Sequence, residues 1–126
     1  MKKFLIAALL LVGTAFGSFA DEGRGSCIVS GTDNDYVEVT AYSNGGGTGN
    51  FVIANSSSKP LMSVYIIITA EVKKGYSDMY ESKTLYRGNF TDKVEPYQSR
   101  TENFTYSKDY KVIRNISVEV SNPTCK

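Results

Sequence analysis

The chain has 126 residues, a formal net charge of +1, no His and no Trp. Its first 20 residues read as an export signal, and removing them leaves 106 residues with net charge −1, because two lysines leave and no acid does. These figures argue against a multidomain protein, against a nucleic-acid binder driven by basic charge and against imidazole chemistry. The longest apolar run also falls well short of the roughly 20 residues of a membrane span.

In the signal, Met1-Lys2-Lys3 supplies the basic start, residues 4–12 the apolar run, and Ser18-Phe19-Ala20 a small-residue cleavage site. Residues 21–26 are polar and Gly-rich and are expected to form a flexible lead-in. The folded domain is then 27–126. It begins at Cys27, and its other cysteine, Cys125, is the penultimate residue. An even cysteine count in an exported protein predicts a disulfide, here one that joins the two ends of the domain, with two free thiols or an intermolecular bond as the alternatives.

Residues 36–42 alternate strictly, with Val37, Val39 and Ala41 on one face and Glu38 and Thr40 on the other, which predicts a half-buried strand. Asn44-Gly45-Gly46-Gly47 turns the chain, and residues 50–55 form a second strand with Phe51 and Ile53 inward. Residues 62–73 make the strongest strand. Val64, Ile66, Ile68, Ala70 and Val72 share one face, while the other face (Tyr65, Ile67, Thr69, Glu71) is half apolar, so this strand belongs inside a sheet. Residues 76–82 suit one turn of helix as well as an irregular edge. Short strands are expected at 83–86, 89–94 and 101–106, and a closing strand at 114–121 has Ile116, Val118 and Val120 inward. Seven or eight short strands at this spacing predict an all-β antiparallel sandwich.

Two corners carry a family resemblance. Phe51-Val52-Ile53-Ala54-Asn55-Ser56-Ser57 followed by Pro60-Leu61-Met62-Ser63-Val64, and Val94-Glu95-Pro96-Tyr97-Gln98-Ser99 leading to Phe104, flank the long alternating strand. Over residues 49–122 the chain resembles bacterial immunoglobulin-like, fibronectin-III-like sandwiches of the FxLYD or CARDB kind. It departs from them at Tyr97, where that family usually has Gly. The resemblance implies an interaction, spacer or surface module and no catalytic residues.

The search for chemistry is brief. Ser56 and Lys59 have Ser-x-x-Lys spacing but lie in a loop before Pro60. The glycine run 45–47 lacks the lysine and helix of a phosphate loop. Asp33 and Asp35 are a weak Ca²⁺ candidate, more simply read as an Asx-turn. Asn55, Asn89, Asn103 and Asn115 stand in Asn-x-Ser/Thr sequons, read as chance in a chain with a bacterial-type signal. What remains is Tyr76, Tyr80 and Tyr86 with Lys74, Lys83 and Arg87, a group suited to a protein interface or to sugar stacking; rings capping the open edge of the sandwich are the simpler alternative. The chain is therefore read as a non-catalytic, cofactor-free module, secreted or periplasmic, that binds a protein or cell-envelope component through a loop or Tyr-rich edge or by adding a strand at a sheet edge. No nucleic acid and no membrane insertion are expected, and self-association is left open. A subunit of a surface assembly and a carbohydrate-binding module are the rival readings.

Overall fold

The computed structural model describes residues 22–29 and 34–126, and among them there are seven strands and no helix. In chain order these are β1 (Glu22–Ile28), β2 (Tyr36–Gly45), β3 (Thr48–Ser56), β4 (Leu61–Lys74), β5 (Glu81–Phe90), β6 (Ser99–Thr105) and β7 (Tyr110–Cys125). They form two antiparallel sheets, one ordered β1-β2-β3-β6 and the other β5-β4-β7. The expected all-β architecture is therefore present, and the export signal lies outside the described residues.

The period-2 pattern of each strand sets which face is buried. Val37, Val39 and Ala41 of β2 and Phe51 and Ile53 of β3 meet Val64, Ile66, Ile68 and Val72 of β4, all essentially solvent-free. Leu85 and Phe90 of β5, Phe104 of β6, and Ile116, Val118 and Val120 of β7 complete the core. β4 occupies the centre of its sheet, so its apolar outer face is flanked by Arg87 and Glu119, the residues directly opposite Ile67 on either side.

Two expectations are corrected here. Residues 22–26 are no flexible lead-in but the first part of β1, paired with β2 from Glu22↔Tyr42 to Ile28↔Tyr36. The reason is backbone packing. A methyl group on Gly23 would collide with the carbonyl oxygen of Ile116, and one on Gly25 with that of Val118. The glycines let β1 lie against β7 at a distance that no side chain permits. Second, the expected strands at 83–86 and 89–94 are one strand, β5. Val94 lies beyond it and makes only an isolated bridge to Leu61.

The two sheets thus differ at their two flanks. β1 packs on β7 and closes one side, while β5 and β6 face each other across the other side with little contact.

Candidate functional site

Cys27 sits on β1 and Cys125 at the end of β7, so each belongs to a different sheet. The expected bond between them is absent; both are free thiols, half-buried against the core. Burial pushes the Cys27 thiol up, and the nearby Cys125 adds to this. Cys125 Sγ instead lies 3.8 Å from Ser57 Oγ. Having the two cysteines near the ends of the chain brings them to the same end of the sandwich, but not to bonding distance.

That end is organised by Asn55, only 1% exposed. Its Nδ2 donates to the carbonyls of Lys59 (2.9 Å), Val94 (3.0 Å) and Glu95 (3.3 Å). Its own carbonyl accepts from Tyr97 N at 2.8 Å and holds Tyr97 at φ 60°, the left-handed region that favours glycine. Of the two candidate acids, Asp33 lies outside the described residues. The Asp35 carbonyl accepts from Val29 N at 2.9 Å, and its carboxylate lies 3.5 Å from Ser58 Oγ. Among the described residues no group of three or more His, Cys, Asp or Glu is placed to hold a metal. The Asn55 sequon is buried, whereas Asn89, Asn103 and Asn115 are exposed.

The six residues expected to form an interaction surface lie on one hairpin, from the end of β4 to β5, but do not share a face. Tyr86 stands opposite Ile68 and points inward, with its ring 5.0 Å from that of Phe51 and 6.1 Å from that of Phe104. Burial, and after it the Glu102 carboxylate, pushes its hydroxyl pKa up. Tyr86 therefore caps the open flank of the core. Lys83 stands opposite buried Ala70 and pairs with Glu81 at 3.4 Å, so it belongs to the same rim. Arg87 lies opposite Ile67 on the outer face of the sheet.

Lys74 ends β4, and Tyr76 and Tyr80 belong to the turn that follows it. Ser77 N donates to Lys74 O at 2.9 Å and closes a four-residue turn, and Met79 N donates to Ser77 Oγ at 3.1 Å. This displays Tyr76 fully to solvent and leaves Met79 74% exposed. Tyr80 is fixed by contrast. The Arg114 guanidinium lies over its ring at 3.4 Å, and Lys73 Nζ is 5.7 Å from the same centroid. Arg114 Nε donates to Glu71 Oε1 at 2.8 Å, and Asn115 Nδ2 donates to the same oxygen at 3.0 Å. Asn115 can do so because it occupies a bulge of β7 at φ 52°. These bonds hold the Glu71 carboxyl below its ordinary pKa, Arg114 being the larger cause.

Sequence reasoning missed Met79, Glu71 and Arg114 as parts of this site. An exposed Met beside a Gly-Tyr turn was the available signal for the first. The other two depend on the register of β4 with β7, which places Glu71 opposite Arg114.

No family model matches the chain, and no curated protein matches it. Among solved structures, the Salmonella enterica trimeric lipoprotein SadB is similar, with 12% identity and a TM-score of 0.50, over 85% of this chain and 64% of that one. The chain thus spans less than two thirds of that protein's length, and the likeness is one of fold: an all-β domain of two antiparallel sheets.

Proposed function

We propose that the chain is an exported, non-catalytic binding module of the bacterial envelope, of the FxLYD- or CARDB-like kind. It contacts a protein or cell-envelope component through the tip of the β4–β5 hairpin. The observation that carries this reading is the pair Tyr76 and Met79, displayed on a hydrogen-bonded turn whose far side is clamped through Tyr80 to Arg114. An exposed aromatic and a thioether on a pre-ordered turn bind at low entropic cost.

The tip is favoured over strand addition because, of the four edge strands, β1 and β7 lie against each other and the other two, β5 and β6, are blunted. On β5 the inward positions near the hairpin are Glu81 and Lys83, and the register slips between Thr84 and Tyr86. On β6 the inward positions are Arg100 and Glu102, paired at 3.0 Å. Inward charges and bulges oppose the docking of another strand. A stacking platform for sugars is less well supported, because Arg114 covers the ring of Tyr80. The assembly reading draws on the fold likeness to a protein described as trimeric, and concentration-dependent light scattering tests it.

The test is cross-linking of the mature chain in its own envelope fraction. The double variant Tyr76→Ser/Met79→Ser should lose the captured partner at unchanged melting temperature, while Tyr97→Ser, at the other end, keeps it. Equal capture by the double variant overturns the reading.

A further inference from the structure

We propose that the tip of the β4–β5 hairpin docks on the anionic headgroup layer of a phospholipid bilayer. This rests on the reading of the tip as the contact surface and names the component it meets.

Three observations converge. First, the tip is uncovered. A methyl group added to Gly75 would meet nothing within 4 Å, and Tyr76 and Met79, before and after Ser77 in the chain, are both exposed. An uncovered apolar point suits a deformable medium into which it can sink. Second, the side chains suit the headgroup boundary. Tyr places a ring at the acyl edge with its hydroxyl among the headgroups, and Met adds a flexible apolar stem. Val112, directly opposite Lys73, extends the apolar point onto β7 and is 36% exposed. Third, the surround is cationic. Lys73 and Lys74 end β4, and exposed Lys111 sits in the register shift opposite them. The acids nearby are Asp78 on the turn and Asp109 beside Tyr110; Glu81 is paired with Lys83 at 3.4 Å and the Glu71 carboxylate is taken up by Arg114 and Asn115, so the excess is positive but small. Lysines around an apolar point lay their stems on the hydrocarbon boundary and their ammonium groups on lipid phosphates. Docking is peripheral; two side chains enter the boundary and no strand crosses it.

Co-sedimentation of the mature chain with vesicles tests this. Vesicles of phosphatidylglycerol and phosphatidylethanolamine should retain the protein, and pure phosphatidylcholine should not. Retention should fall about tenfold on raising the salt to about 0.5 M. Lys74→Glu/Lys111→Glu and Tyr76→Ser/Met79→Ser should each weaken it by about tenfold or more. Absence of retention on the anionic vesicles, or retention unchanged in both variants, overturns the proposal. If vesicles are ignored while Tyr76→Ser/Met79→Ser still abolishes capture of an envelope protein, the lipid assignment fails and the binding tip stands. If the tip variants affect neither readout, both fail.

Discussion

Among the described residues, Asn55 makes the largest set of side-chain hydrogen bonds. One buried amide nitrogen serves three carbonyls from two loops, so the β3–β4 and β5–β6 connections are tied to each other through it. Each carbonyl keeps a second donor (Ser57 Oγ to Lys59, Leu61 N to Val94, Gln98 N to Glu95), so Asn55→Ala removes the tie between the loops rather than every partner, and should cost about 1–3 kcal/mol in urea unfolding. Asn55→Asp supplies an acceptor where donors are needed and should be no better. Cys27 offers a second residue-level check. Its raised pKa depletes the thiolate, so alkylation at about pH 8.5 should be at least about threefold slower in the native protein than in urea. The non-reduced, unfolded chain should take two alkyl groups, and a mass two hydrogens light with no adducts would show the bond that is absent here.

At the scale of elements, β1 and the β4–β7 pairing make the sharpest statements. The Gly23 and Gly25 methyl positions are occupied by β7 carbonyls. Gly25→Ala should therefore detach β1 or push the sheets apart, at a cost of about 2 kcal/mol or more, and should speed amide exchange in β1 ahead of the rest. The clamp beneath Tyr80 gives a pH prediction. The Glu71 pKa is lower folded than unfolded, so its contribution is present above the unfolded value and is lost as pH falls through the folded one. Between about pH 5 and about pH 2.5 the melting temperature of wild type should drop more steeply than that of Glu71→Gln.

At the scale of the molecule, the core follows from alternation alone. In β4 every second residue from Val64 to Val72 is apolar, and all of them are buried. Phe51, touching Tyr86, Phe90 and Phe104, is the hub of the aromatic part, and Phe51→Ala should cost about 3–5 kcal/mol in thermal or urea unfolding. What alternation cannot show is where chain separation in sequence becomes proximity in space. Residues 22–26 carry no apolar pattern, because β1 is placed by the backbone contacts that its glycines permit, and polar Gly-rich composition looks like a loop. The tyrosines of the hairpin are alike in type, yet Tyr86 is inward because it faces Ile68 across a slip in register, and Tyr76 is outward because it tops a turn. Counting cysteines likewise gives their number and not the sheet that each belongs to.

The unequal flanks of the sandwich have a dynamic consequence. With β1 seated on the β7 backbone on one side and only paired charges over rings on the other, the sheets should hinge along β1 and β7 and part first along β5 and β6. Thermal opening should start where Tyr86 and Phe104 meet, 6.1 Å apart, and admit water to the aromatic cluster before the aliphatic layer of β4 and β7 is disturbed. In that first opened state the tip and its clamp would still be intact, because Tyr80 is tied to β7 and not to β6.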